Sequence, residues 1–335
     1  MSVFGAATGI GSFPGISARV AAEIVVGELH SLPHLVELPD RGLGADMIGR
    51  TAAILVDIAV DTVPRGYRIT ARPGSVAKRA DSLLREDIDA LEEAWEKAGD
   101  GVADRTVKIQ VAGPITLAAQ LELSNGHRAI TDRGAVRDLT ASLAEGIRVH
   151  RAELERRLGA PVVVQLDEPS LAAALAGRLS GVTSMTPVHP VDEAVAVSLI
   201  DICAEAAGQT SIHTCAVPIP WNVLQRCAID AVAVDVALLQ PADLDGVGEF
   251  LETGRTVQLG VVPTTRPADR PAAEEIAAAA AKVTDRLGFP RAVLAERVGI
   301  TPACGLAGAT LEWARTAMEL AQKVADGLAQ DPEAI

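Results

Sequence analysis

His213, Cys215 and Cys304 are the side chains of this 335-residue chain whose types best suit chemistry. His213 and Cys215 stand in Ser211-Ile212-His213-Thr214-Cys215, after an Ala-rich helical stretch and before a Pro-containing turn. Cys304 stands far downstream in Ile300-Thr301-Pro302-Ala303-Cys304-Gly305-Leu306, where an apolar run again meets Pro and Gly. Residues two apart on an extended strand share a face, so His213 and Cys215 can converge on one ion. Two thiolates and one imidazole make a three-ligand zinc set, the kind that keeps a coordination position open for substrate. His-x-Cys also arises by chance, so its weight depends on the motifs that accompany it.

Asp235 ends the apolar run Ala231-Val232-Ala233-Val234 and can supply a fourth, carboxylate ligand, or simply cap the segment that follows. In Gln165-Leu166-Asp167-Glu168-Pro169, two carboxylates end a wholly apolar run, where burial without a partner is costly. Asp167 shares a face with Gln165 and is expected to meet a cationic ligand group, whereas Glu168 points elsewhere. The alternative is a helix cap with Pro169 in the first turn. Thr8-Gly9-Ile10-Gly11-Ser12-Phe13-Pro14 is a glycine-rich turn whose backbone can approach an anionic group. It is not a dinucleotide fingerprint, because the third glycine is misplaced. Gly113-Pro114-Ile115-Thr116 reads as a turn into a helix, with Thr116 free to cap. His30, His34, His127, His150 and His189 have no converging partners and read as packing or surface residues. Cys203 and Cys227 read as small buried hydrophobes.

These residues must be positioned by a repeating frame. Eight short apolar runs, at about 5–12, 34–38, 107–112, 161–167, 209–214, 230–235, 256–262 and 297–302, alternate with helix-length amphipathic segments. Continuous runs such as Pro161-Val162-Val163-Val164 suit parallel strands covered on both faces. The pattern predicts one α/β domain over residues 1–335, a (β/α)8 barrel with a small hairpin inserted near residues 60–75. A doubly wound open sheet is the second choice. In a barrel the strand C-terminal ends face one site. Ser12, Glu37, Thr116, Asp167, His213, Asp235 and Cys304 all fall at such ends.

Composition narrows the function. A net charge of −14 argues against nucleic acid as a partner. Four cysteines are too few for a disulfide framework. The first residues lack the basic and long apolar parts of a signal peptide, and no apolar run reaches the roughly 18 residues of a membrane span. A cytoplasmic protein with no membrane partner is expected.

In their order along the chain, these motifs resemble the C-terminal catalytic half of cobalamin-independent methionine synthases. Ile10-Gly11-Ser12-Phe13-Pro14 is similar to the family's opening segment, Gly113-Pro114-Ile115-Thr116 to its Gly-Pro-Val/Ile-Thr turn, and Asp167-Glu168-Pro169 to its Asp-Glu-Pro motif. His213-Thr214-Cys215 and Cys304-Gly305-Leu306 resemble its zinc motifs. The resemblance implies a barrel and a zinc cofactor. It also implies homocysteine as the thiol substrate, bound by Ile10, Gly11 and Ser12 and, through its amino group, by Asp167, the residue we expect to be catalytic. Glu37 matches a glutamate that contacts the same amine, with Asp40 as the competing choice.

Three departures stand out. Asp235 occupies the place of the family's glutamate ligand. Pro263-Thr264-Thr265 replaces a segment whose histidine handles a proton at the folate. The family's N-terminal half, with part of the folate surface, has no counterpart here. A methyl-corrinoid protein or a simpler methyl donor is therefore expected instead of methyl-tetrahydrofolate. The competing readings are a zinc or thiol-metabolite binding protein without turnover, and a relative of the uroporphyrinogen decarboxylases, which need no metal.

Overall fold

Apolar runs and amphipathic helices alternate in the structure as the sequence pattern requires, in a computed structural model that describes residues 2–99, 105–183 and 185–335. The order is α1 (Ala18–Glu28), α2 (Met47–Ala53), β1 (Ala59–Val63), β2 (Gly66–Thr70), α3 (Ser75–Ala98), β3 (Val107–Ala112), α4 (Pro114–Gln120) and β4 (Leu121–Glu122). It continues with α5 (Arg133–Leu158), β5 (Val162–Asp167), α6 (Leu171–Leu175), α7 (Glu193–Ala207), β6 (Thr210–Thr214), α8 (Trp221–Leu224) and β7 (Ala231–Asp235). The last elements are α9 (Asp243–Glu252), β8 (Thr256–Val262), α10 (Ala273–Arg286), α11 (Ala292–Arg297), β9 (Val298–Pro302) and α12 (Leu311–Gln330).

Strands β3, β5, β6, β7, β8 and β9 form one curled parallel sheet in that order. Every residue of β3 and β5 is buried, as expected where helices cover one face and the barrel interior the other. The two runs expected at 5–12 and 34–38 differ from the expectation: they form isolated bridges, not regular strands. Ala7 pairs with Ile300, Ser12 with Glu37, and His34 with Lys108, all parallel. These bridges join the β9 edge to the β3 edge and complete a barrel-like ring. The physical reason for the missing ladder is local. Gly11 has φ +145°, and a Cβ there would lie 2.7 Å from Cγ of Gln110, so the backbone bends inward where a strand would run straight. Pro33 and Pro39, which lack an N–H, bracket the second segment.

β1 and β2 pair antiparallel, with Val63 opposite Gly66, and β4 joins them through β2. This small sheet reaches the barrel mouth through Tyr67. Its hydroxyl hydrogen-bonds the Asp46 carboxylate and accepts the Gly44 N–H at 2.8 Å. Asp46 in turn caps α2 by accepting the N–H groups of Ile48 and Gly49. Among the described residues, no helix is long and apolar enough to cross a membrane.

Candidate active site and metal centre

Strand register sets the centre of the site. Ala112, Asp167, His213 and Ala233 stand side by side across β3, β5, β6 and β7. Cys215 follows the end of β6, and Cys304 lies two residues beyond β9. A register shift between Gly260 and Val262 in β8 lets that last turn swing over the sheet end. The ligand atoms of His213, Cys215 and Cys304 all lie within 4.8 Å of one another, and Cys304 Sγ is 3.8 Å from His213 Nε2. Donors at about 2.1 Å (N) and 2.3 Å (S) from one tetrahedral ion are roughly 3.6 Å apart, so this set fits zinc.

The two thiols share a proton unequally. Hydrogen bonds from Cys215 and His213 bring the Cys304 thiol down to about 4, while the same contact with Cys304, together with burial, pushes Cys215 well above the usual range. Two thiols this close cannot both ionise without a cation to share their charge, which a metal ion would supply. Asp235 is not brought into this trio. Its carboxylate accepts the Ala237 N–H at 2.8 Å and caps the short turn Val236–Leu238. Burial raises its pKa, with the Cys304 charge adding to the effect.

Beside the trio lies a cavity of about 280 Å³ whose walls include Ile10, Ser12, Glu37, Asp167, His213 and both site cysteines. Glu37 is thus the residue that reaches the site, whereas the competing Asp40 accepts the Gly15 N–H at 3.1 Å from an exposed position. Ser12 is wedged against the Cys304 loop. Its carbonyl accepts the Leu306 N–H at 2.8 Å, and a Cβ on Gly305 would sit 1.9 Å from its Oγ, so only glycine fits beside it. Burial lifts Glu37 to about 7, against the opposing pull of Arg50, with Asp167 pushing further upward. Burial lifts Asp167 to about 6, against the pull of His213 and a hydrogen bond from Gln165. Two buried carboxyl groups with raised pKa values thus line one cavity, an arrangement with the chemistry to receive a cationic group.

Glu168 faces away from the cavity, as its place on the strand implied. Its carboxylate accepts the N–H groups of Ile115 at 2.9 Å and Thr116 at 2.8 Å, and the Thr116 hydroxyl at 2.7 Å, at the start of α4. The Asp-Glu-Pro and Gly-Pro-Ile-Thr motifs are therefore two halves of one joint. Sequence reasoning missed the supports behind Glu37. Arg50 lies 3.9 Å from Glu37, and its guanidinium also binds Asp87 of α3, which holds Arg41 at 2.6 Å. A signal existed: Asp87 sits on the apolar stripe of α3 among Leu83, Leu84, Ile88 and Leu91. A second lay in β3, where Lys108 and Gln110 alternate with apolar residues and so face the barrel interior.

The comparisons with known proteins now decide the family. The model of the cobalamin-independent synthase catalytic domain matches residues 4–327. The chain belongs to this family. It is a methyltransferase of the cobalamin-independent methionine synthase type. A solved structure of a B12-independent methionine synthase from Shewanella sp. W3-18-1, in complex with selenomethionine, shares its fold. That match has a TM-score of 0.61 at 13% identity and covers 98% of this chain and 99% of that one. A β-glycosidase from Thermosphaera aggregans aligns over 98% of both chains, but at 8% identity and a TM-score of 0.35 it supports no argument. No curated protein matches the chain.

Proposed function

We propose that this chain, acting as one barrel unit, methylates the thiol of homocysteine to give methionine. His213, Cys215 and Cys304 would hold zinc, with Asp235 available as a carboxylate ligand. The observation behind this reading is convergence: the metal-donor trio, the Asp167–Glu37 pair and the Ser12 turn all open into one cavity. When bound, zinc lowers the pKa of a coordinated thiol so that the sulfur is a nucleophilic thiolate at neutral pH. The chain's own residues do the rest. Asp167 and Glu37 bind the substrate ammonium, and that cation in turn favours their ionised forms. Ile10, Gly11 and Ser12 hold the carboxylate end. With amine and carboxylate fixed, the side chain can extend only toward the cysteines, which aligns the sulfur before the donor arrives.

The cavity volume bears on the donor. At about 280 Å³ it is smaller than the roughly 300–1,000 Å³ of pockets that enclose drug-sized ligands. It has room for one amino-acid thiol, and a larger donor would present its methyl from the open side. The segment after β8, Pro263-Thr264-Thr265, carries no acid; the Pro263 carbonyl accepts the Trp313 indole N–H at 3.0 Å. A folate nitrogen leaves poorly without a proton, and general acid help contributes about 10²–10⁴-fold. A departing cobalt takes the electron pair itself. We therefore favour a methyl-corrinoid donor over methyl-tetrahydrofolate. The free thiol pair needs a reducing compartment, which supports a cytoplasmic setting. A thiol-binding protein without turnover is the competing reading.

Homocysteine methylation by the zinc-loaded protein tests both points, with methylcobalamin and methyl-tetrahydrofolate compared as donors. We expect faster transfer from methylcobalamin, and efficient folate turnover by this chain alone would reverse the donor assignment. Binding of homocysteine without turnover on any donor would favour the non-catalytic reading. Asp167→Asn should weaken homocysteine binding by about 1.5–3 kcal/mol, the scale of a charged hydrogen bond, at unchanged zinc content. Loss of zinc in that variant would make Asp167 a ligand or a structural residue.

A further inference from the structure

Under the cavity floor lies a buried polar chain that the acceptor chemistry does not itself use. Lys108 is fully buried, and its Nζ donates to the Gly9 carbonyl at 2.5 Å and to Gln165 Oε1. Gln165, also fully buried, donates through Nε2 to the Ile10 carbonyl at 2.7 Å and to Asp167 Oδ1 at 2.8 Å. Both ends fix the amide orientation. An ammonium can only donate, so it must face Oε1; a carbonyl can only accept, so it must face the NH₂.

We propose that Gln165, locked by Lys108, is a positioning residue that aims the Asp167 carboxylate and thereby sets selectivity for a thiol bearing an α-amino group. The inference rests on the homocysteine reading above. Gln165 makes the one side-chain hydrogen bond to the Asp167 carboxylate among the described residues. That bond holds Oδ1 and restrains rotation of the carboxylate, leaving Oδ2 for a ligand. The opening turn, by contrast, has other supports. The Glu37 N–H donates to the Gly11 carbonyl, the Phe13 N–H to the Glu37 carbonyl, and the Leu306 N–H to the Ser12 carbonyl. Loss of Gln165 should therefore reach the amino end of the substrate and spare the carboxylate end. It would also take from the Lys108 ammonium one of its two acceptors, leaving only the Gly9 carbonyl, so that it can compete for Asp167, which acts in the same direction.

The test uses zinc-loaded wild type, Gln165→Met and Gln165→Asn, titrated calorimetrically with homocysteine and with 4-mercaptobutyrate, its analogue without the amino group. Met fills the space without hydrogen-bonding; Asn keeps an amide one methylene too short to span Lys108 and Asp167. We expect both variants to keep full zinc and to lose about tenfold or more in homocysteine affinity. Affinity for 4-mercaptobutyrate should stay within about threefold. An equal loss for both thiols, or an unchanged homocysteine affinity, overturns the proposal. If Gln165→Met does not fold, Gln165→Asn decides by the same criteria; failure of both to fold makes Gln165 structural and also overturns it. Wild type that binds neither thiol would instead remove the acceptor reading, and this inference with it.

Discussion

The two halves of the barrel end are built on different principles. The half carrying His213, Cys215 and Cys304 is built from the ends of regular strands and the short turns just beyond them. The half carrying Ser12 and Glu37 sits on bridged, bent segments with little ladder of their own. Side chains take over there. Gln165 holds the Ile10 carbonyl, Gln110 donates to the Leu35 carbonyl, Arg50 and Arg41 share Asp87, and Tyr67 locks the Asp46 cap. The substrate end needs buried charge, and a net of polar side chains is the way to solvate charge without water.

The largest expected effect comes from breaking the metal half. Cys304→Ala removes one thiolate but no strand hydrogen bond, so the fold should survive. We expect zinc content to fall well below one per chain and methyl transfer to drop roughly 10³-fold or more, since Lewis-acid activation is worth several kcal/mol. Metal analysis and a rate assay on the same preparation check this. Full zinc with intact turnover would mean that the trio is not the metal site.

The support net of the other half should break differently. Asp87→Asn leaves Arg41 and Arg50, both buried, without their shared counter-charge. Removing one partner of a buried ion pair costs about 3–5 kcal/mol. Denaturant unfolding should show that loss, and homocysteine KM should rise through Arg50 and Glu37, while zinc content stays at the wild-type level. A variant that lost zinc along with stability would show that the two halves are coupled and not independently supported.

The same contrast explains which parts of the molecule could be read from sequence. Strands β3 and β5–β9 announce themselves as continuous apolar runs, and motifs at their ends inherit a position from the barrel geometry. Residues 5–12 and 34–38 look equally strand-like in composition. Their departure comes from Gly11, whose bend answers to Gln110 across the interior, a contact between distant parts of the chain. Asp235 was placed correctly at a strand end, yet a strand end does not say whether a carboxylate turns to a metal or to the Ala237 amide. The adjacent pair Asp167-Glu168 separated as strand alternation requires, one inward and one toward α4. The partners of Glu37 left only a faint trace: Asp87 belongs to an amphipathic helix, where a single acid on the apolar stripe is easily taken as noise.

The smallest effect is also the one that tests whether the substrate half stores charge at a cost. Glu37 is held near 7, above its ordinary 4.5, chiefly by burial. Between those values the native state binds a proton more tightly than the unfolded chain does. The stability this contributes is fully present below about pH 4.5 and is lost as pH rises through 7, a change on the order of 3 kcal/mol. Glu37→Gln keeps the shape and removes the titration. It should melt close to wild type at pH 5 and above wild type at pH 8, while binding homocysteine more weakly at both. Thermal melts at the two pH values decide the matter. If the variant gains nothing at pH 8, the ionised carboxylate is already fully compensated by Arg50. If it gains, the empty site keeps an unfavourable charge in place, and the ammonium of the substrate is what relieves it.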